Sequence, residues 1–550
     1  MLISAFVIRI WGIWNAESTD EYNEVFEALR VCSGQLNYER WFKRFYLYIL
    51  SAEYALLYIG GWLVGLYSSP LDFAAKVIRD MSPLFMIGRL TSAIMGTLTV
   101  YMTYLIGRSL FSKTVGVVAA LFLCVNTVNV ELSHYARVDA TLCAIVLISF
   151  YYIAKIIKDD SDLVSKYYML AGLFAGIAFQ NKIPAIILII PFMYAHLTRF
   201  NYRISLRMIL NKNLLFFCSL FFGGIIIGNP AVLIAPLKFV NGVISMGQVF
   251  TTPINETKSE HIGYIVYLLY FYKELGIPLL LLAIFSIWKA IRERRSEYLI
   301  LLSFIVPFYV LMGASSYMVG YSYMIPLMPF LYLLCAEGLV SLVNKLKWDQ
   351  SSASKALCVA LVVLLAYPIF NVGTLLLSLS GRSTRYLAKQ WIEQNIVYGS
   401  KLLMDSGKTI NSTAPLISQN RKSILRTIED IEKYLEKGDL LDATKMVDRN
   451  AIKYYELLLK SVPDESYDIT STKFGLDVKS IEYYREHDFQ YFVISDSMKR
   501  NRTDEFFTMR APAIAHFYKS LDSDPRVQLI KAISPTSVNI GDTYYIYKVI

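Results

Sequence analysis

The chain opens with the apolar run M-L-I-S-A-F-V-I-R-I-W-G-I-W (Met1–Trp14) and passes directly into N-A-E-S-T-D-E-Y-N-E-V (Asn15–Val25), where Asp20 and Glu21 stand side by side. Two adjacent carboxylates at the end of a hydrophobic segment are either a solvated loop or the mouth of a polar site, and the other charges of the chain decide between them. The opening has neither a basic leading segment nor a small-residue cleavage site, so it reads as an uncleaved first span. At 1.5 Å per residue the run reaches about 21 Å, short of a hydrocarbon core of about 30 Å. Residues after Trp14 are expected to extend the helix, unless its start lies upstream.

Composition sets the class. Of 550 residues, 55% are hydrophobic and 14% aromatic, and the mean hydropathy is +0.43. A soluble domain with these values would expose large apolar patches, so the chain reads as an integral membrane protein. Its net charge of +10 lies in short clusters between apolar segments and forms no continuous basic stripe, which excludes a nucleic-acid partner. Five of the six cysteines fall in apolar segments and only Cys32 in a polar one, so no disulfide framework and no Cys/His zinc spacing is readable.

Apolar runs of membrane length lie near 1–14, 84–107, 115–132, 139–157, 167–181, 183–198, 213–235, 275–291, 297–314, 322–343 and 356–378. Five basic connections follow alternate runs, marked by Arg108 and Lys113, by Lys155, Lys158 and Lys166, by Arg199 to Lys212, by Lys289 to Arg295, and by Lys345 to Lys355. Short cytoplasmic loops are enriched in Lys and Arg. The intervening connections, at 132–138, 181–183, 236–274, 315–321 and after 378, are therefore expected outside. The alternation holds only if 15–83 forms an outer loop that returns to the side it left, with the apolar stretch Phe45–Tyr67 lying along the interface, re-entering, or forming one arm of a hairpin. The expected fold is a polytopic α-helical membrane protein of about 11 to 13 spans over residues 1–380. Beyond 380, short β-rich pieces such as Q-Y-F-V-I-S alternate with helical ones, so 381–550 is expected to be an extracytoplasmic mixed α/β domain.

With this topology the costly charges gather on the outer side. They include Asp20 and Glu21, the segment S-H-Y-A-R-V-D-A (Ser133–Ala140), Lys182 in the short turn F-Q-N-K-I-P, Arg89 near the outer end of its span, and Arg9 in the first span. Each charge in or beside hydrocarbon costs a few kcal/mol unless it is partnered or functional. Arg9 and Arg89 read as structural, snorkelling or pairing with an acid such as Glu53. Arg137 and Asp139 are close enough in sequence to pair with each other. Lys182 has no acid nearby in the sequence and is the hardest to explain as packing.

The order of D-E in the first outer loop, R-L-T-S-A-I-M-G, G-R-S-L-F-S-K-T-V-G, S-H-Y-A-R-V-D-A and G-L-F-A-G-I-A-F-Q-N-K resembles the GT-C glycosyltransferases of the protein O-mannosyltransferase and lipid A aminoarabinose transferase type. Y-S-Y-M-I-P-L-M-P-F-L-Y-L-L-C-A-E-G-L (Tyr321–Leu339) is similar to that group's Tyr-rich, Pro-containing late span. The resemblance covers most of residues 1–345. It implies inverting transfer of a single sugar from a polyprenyl-phosphate carrier to an acceptor hydroxyl on the outer face, the acceptor being a protein, a glycan or a lipid. Asp20 would be the general base and Glu21 would shape the site. Arg137, Lys182 and Arg89 would hold the donor phosphate, and Asp139, His134, Tyr321, Tyr323 and His261 would contact substrate. No cofactor is called for, and a divalent metal stays an option. The late span lacks the family's basic residue, the first loop lacks K-P-P, and the oligosaccharyltransferase W-W-D-Y-G is missing, which argues against en bloc glycan transfer to Asn. The competing class is a multi-span transporter or flippase of an amphipathic substrate, for which pseudo-symmetric halves and midplane-interrupted helices are expected; the sequence shows neither.

Overall fold

The structure is a computed structural model and describes every residue except Glu17, 35–43, Asp160, 250–262, 316–319, Lys347, 406–413, 438–448, Ser461 and 473–474. The chain forms two compact units: Met1–Ile13, Glu24–Ala55 and Ile87–Leu376 make the first, and Trp14–Asn23, Leu56–Met86 and Leu377–Ile550 the second.

Helices follow one another from the start: α1 (Leu2–Ile10), α2 (Thr19–Cys32), α3 (Arg44–Leu63), α4 (Pro70–Arg79), α5 (Ser82–Leu110), α6 (Lys113–Cys124), α7 (Thr127–Ser133), α8 (Val138–Lys158) and α9 (Val164–Asn181). After a 3₁₀ segment at Ile183–Leu188 come α10 (Ile189–Arg199), α11 (Leu206–Ile209), α12 (Lys212–Gly228), α13 (Pro236–Val249), α14 (Gly263–Glu293) and α15 (Ser296–Gly313), then a 3₁₀ turn at Tyr321–Met324, α16 (Met328–Lys345) and α17 (Gln350–Ser378). Their starts are written in the sequence, because Ser69, Ser112, Asn126 and Asn211 each accept an amide hydrogen from the first turn they precede. At α2 the Ser18 amide donates to Glu21 Oε2 at 3.1 Å, half of a capping box.

Among the described residues six helices are long and apolar enough to cross a membrane, and the pair α6 and α7, bent by 63°, makes a seventh candidate. In α17 only 11% of the most apolar window is buried, with Val359, Val362 and Val363 all more than half exposed. Such a surface is stable only in lipid, so the chain is an integral membrane protein. Three of the expected runs are shorter or broken. The first is a helix of nine residues, 183–198 is split into a 3₁₀ segment and α10, and 115–132 is broken at Asn126.

Two close approaches shape the first unit. α9 and α12 cross backbone to backbone, and a Cβ on Gly176 would lie 2.1 Å from the Phe221 carbonyl oxygen. Small residues permit such contact, and in lipid it is dispersion packing that rewards it. α14 is kinked at Gly276, where φ is +66° and Pro278 follows two residues later. Tyr367 donates to the Lys273 carbonyl at 2.9 Å, satisfying a group just before the kink.

The second unit carries α18 (Thr384–Asn395), β1 (Lys401–Met404), α19 (Arg421–Lys437), α20 (Arg449–Leu459), β2 (Asp468–Ser471), α21 (Ile481–Glu486), β3 (Tyr491–Ser495), α22 (Asp496–Thr503), α23 (Glu505–Arg510), α24 (Pro512–Ser520), β4 (Val527–Ile533) and β5 (Tyr544–Val549). The five strands form one sheet in the order β2-β1-β3-β5-β4. β1 pairs in parallel with β2 and β3, Leu402 standing opposite Ile469 and Tyr491, while β5 is antiparallel to β3 and β4. Alternate residues face opposite sides, so Leu402, Met404 and Val493 pack one core while Leu403, Phe492 and Ile494 pack the other.

Candidate functional site

The site begins where two chain breaks meet in the first unit. Asp139 lies in the first turn of α8, where the helix dipole favours a negative charge, and Arg137 is the residue before that helix. Lys182 ends α9 in an extended conformation, and Pro184 prevents the helix from continuing. The Lys182 Nζ lies 2.5 Å from Asp139 Oδ1 and the Arg137 Nε lies 3.1 Å from Asp139 Oδ2. The carboxylate is fully buried, whereas the two cations keep 13% and 14% of their side chains exposed. The acid that Lys182 lacks nearby in sequence is thus supplied from α8. The Arg137–Asp139 pairing read from the sequence is half of a three-charge bridge.

The 3₁₀ turn Tyr321–Met324 borders this bridge. The Lys182 ammonium sits over the Tyr323 ring, 4.8 Å from its centroid. The Tyr321 hydroxyl donates to Glu131 Oε1 at 3.0 Å, and its ring stacks on Tyr270 at 6.0 Å. Lys182, Ser322 and Tyr323 also line a narrow cleft whose other lining residues are apolar, including Leu142, Val146, Phe308, Met312 and Pro326. A cation at the edge of an apolar groove suits an amphipathic anion.

The broken span behind the site is held by α1. The buried Arg9 donates to Asn129 Oδ1 at 2.6 Å and to Ala5 O at 2.9 Å, and reaches the Leu123 and Cys124 carbonyls at 3.5 Å each. It thereby caps the last carbonyls of α6 where the chain turns into α7. His134 is fully buried, with Nδ1 2.8 Å from the Val130 carbonyl and Nε2 2.9 Å from the Trp11 carbonyl, so both ring nitrogens are taken up by backbone. Arg89, also buried, donates to the Ile13 carbonyl at 3.1 Å, and Glu53 accepts from Thr91 at 2.6 Å. The geometry gives Arg9 a structural partner set made of carbonyls and one amide.

The structure therefore brings together Arg137, Asp139, Lys182 and Tyr323, with Tyr321 two positions earlier on the same turn. Asp20 and Glu21 belong to the second unit. Glu21 is fully buried and occupied by the Ser18 amide, and Asp20, partly exposed, lies in the first turn of α2. His261 lies outside the described residues. Among the described residues no three His, Cys, Asp or Glu side chains converge as a metal cage. Both oxygens of Asp139 face fixed positive groups, a donor set that does not suit a divalent cation.

Comparison with known proteins sets these features in a fold. Over 100% of this chain and 97% of the other, the structure matches ArnT from Cupriavidus metallidurans in the apo state, with a TM-score of 0.52 and 13% identity. The chain has the GT-C fold. ArnT bound to undecaprenyl phosphate is similar at TM-score 0.49 and 12% identity, covering 99% of this chain and 96% of that one. The Archaeoglobus fulgidus oligosaccharyltransferase tethered to an acceptor peptide is similar at 0.48 and 12%, covering 94% and 71%. Residues 81–227 match the family model described as dolichyl-phosphate-mannose-protein mannosyltransferase. No curated protein matches the chain significantly. That family segment of the GT-C fold contains Arg89, Arg137, Asp139 and Lys182.

Sequence reading missed Glu131 and Glu274. Glu131 stands on α7 inside a run that reads as one straight apolar span, and Glu274 lies just before the α14 kink. Glu274 Oε2 accepts from Asn126 Nδ2 at 3.0 Å and from the Val128 amide at 3.3 Å, so it caps the start of α7. The polar signal available was N-T-V-N-V-E (Asn126–Glu131), too many hydrogen-bonding groups for an uninterrupted span.

Proposed function

We propose that the chain is an inverting glycosyltransferase that moves a single sugar from a polyprenyl-phosphate carrier to an acceptor hydroxyl. The observation that carries this reading is the bridge of Lys182, Asp139 and Arg137 beside an apolar cleft. Two cations and one carboxylate leave a net positive charge, which would meet the donor phosphodiester. It would be worth more as the bond to the anomeric carbon breaks and the lipid phosphate gains a second negative charge. The apolar residues of the cleft would lie beside the first isoprene units of the carrier.

In this reading Asp20 is the general base. As the acceptor oxygen bonds to the anomeric carbon, its proton passes to the Asp20 carboxylate, and the lipid phosphate departs with the electron pair of the broken bond. A single displacement inverts the anomeric configuration. The match of residues 81–227 to a family that uses a lipid-linked mannose supports the donor class. The alternation of basic connections supports a site on the non-cytoplasmic face.

The test is production of free lipid phosphate by the full chain in vesicles supplied with polyprenyl-phosphate sugars and acceptor extracts. We expect Lys182→Met and Arg137→Met each to slow release about 100-fold or more. Release at the wild-type rate by both variants would contradict the assignment.

A further inference from the structure

We infer that Glu131, pinned by Tyr321, is the acceptor for the hydroxyl groups of the donor's sugar, and that the sugar therefore carries free vicinal hydroxyls and no negative charge. This rests on the phosphate reading of the Lys182 and Arg137 bridge.

A sugar hydroxyl needs acceptors, and the bridge offers few. Lys182 and Arg137 present only N–H donors, and the two oxygens of Asp139 already face those cations. Of the two acids at α7, Glu274 is committed to Asn126 and to the Val128 amide. Glu131 is bonded instead by side-chain hydroxyls, Tyr321 at 3.0 Å with Tyr135 also in reach. It keeps partial access to solvent, and its partner Tyr321 is 38% exposed. A carboxylate can accept two neighbouring hydroxyls at once, and such charge-assisted bonds are about twice as strong as neutral ones.

Position links Glu131 to the phosphate site. Arg137 acts on Glu131 electrostatically, and both Arg137 and Asp139 act on Tyr321. The turn that carries Tyr321 also carries Tyr323 under the Lys182 ammonium, so one short segment touches both the cation and the carboxylate. Tyr270, stacked on Tyr321, has a buried hydroxyl with no hydrogen-bond partner among the described residues. An orphaned buried hydroxyl costs about 1–3 kcal/mol, and a polyhydroxylated ligand would supply its partner.

The experiment is equilibrium binding to the full chain in nanodiscs of four probes: dolichyl phosphate, and dolichyl phosphate carrying mannose, glucose or arabinose. We expect the wild type to bind at least one sugar lipid more tightly than dolichyl phosphate. Glu131→Gln should erase that surplus by roughly tenfold and leave dolichyl phosphate binding unchanged. Tyr321→Phe should act in the same direction, which keeps the test open if Glu131→Gln fails to fold. Lys182→Met should weaken all four. A sugar surplus retained in both Glu131→Gln and Tyr321→Phe, or no surplus for any sugar in the wild type, overturns the sugar site while leaving the phosphate reading standing. A wild type that binds none of the four overturns the phosphate reading itself.

Discussion

Lys182, the extended residue that follows α9, and Asp139, in the first turn of α8, meet at 2.5 Å although they lie 43 positions apart in the sequence. The contact closes a bridge whose other arm is Arg137. Asp139 is fully buried, so its charge is tolerated only because both oxygens face cations. Asp139→Asn should therefore leave two cations facing each other in a partly dry site and destabilise the chain by about 3–5 kcal/mol. Thermal unfolding in detergent checks this, and the double variant Asp139→Asn/Lys182→Met should recover part of the loss. An unchanged midpoint for Asp139→Asn would mean that the bridge does not hold the two breaks together.

The capping of α6 by Arg9 makes a separate prediction. Arg9→Met removes the donors to Asn129 and to the Leu123 and Cys124 carbonyls at the elbow. Hydrogen bonds to a charged group are worth about 1.5–3 kcal/mol, so a loss of stability of that order is expected. Arg9→Lys should lose less, since one ammonium can still reach a carbonyl. Equal stability of all three proteins would show that the elbow needs no cap.

Asp20 and Glu21 are adjacent but should respond differently. Asp20→Asn removes the proposed base, and loss of general-base help typically slows reaction by about 10²–10⁴. Binding of polyprenyl phosphate should stay at the wild-type level. Glu21→Gln loses an ionic cap on the Ser18 amide, a stability effect of about 0.5–2 kcal/mol, with a smaller effect on rate. Equal loss of transfer in both variants, with unfolding to match, would reduce Asp20 to a helix-start residue.

In the second unit, Asp405 follows β1 and is almost fully buried. Its Oδ2 accepts from the Ser495 amide at 3.0 Å and lies 3.4 Å from the Ser495 hydroxyl. Burial pushes its carboxyl up from 3.8 to about 8, opposed by the Ser495 bonds and aided by Asp542. The folded state thus holds a proton that the unfolded state releases near pH 4. Stability is full below that value and falls as pH rises towards 8, by at most about 1.4 kcal/mol per pH unit. Hydrogen exchange of the β1 and β3 amides at several pH values, corrected for the intrinsic pH dependence of exchange, should show this trend. Asp405→Asn should flatten it. Protection that grows with pH in the wild type would contradict the assignment.

The parts legible in the sequence were those written in local charge and hydropathy. Arg137, Asp139 and Lys182 stood out because each is a charge beside an apolar run, and the β-rich pieces after residue 380 announced the sheet strands. What stayed hidden was nonlocal or depended on where helices break. The partner of Lys182 lies on another helix, so spacing could not supply it. Glu131 is hidden because 115–132 reads as one straight span, whereas α6 ends at Cys124 and Asn126 caps α7. His134 drew notice as a polar group at the outer face, but its two nitrogens are occupied by the Val130 and Trp11 carbonyls, which only the packing of α1 against α7 reveals.

The most direct measurement is photolabelling of the full chain with a polyprenyl phosphate that carries a diazirine on its first isoprene unit, followed by peptide mapping. We expect labels on the cleft walls around Leu142, Phe308, Met312 and Pro326, displaced by unlabelled polyprenyl phosphate and lost in Lys182→Met. Labelling confined to the lipid-facing surfaces of α12 and α17, unchanged by that substitution, would contradict the placement of the carrier phosphate on Lys182 and Arg137.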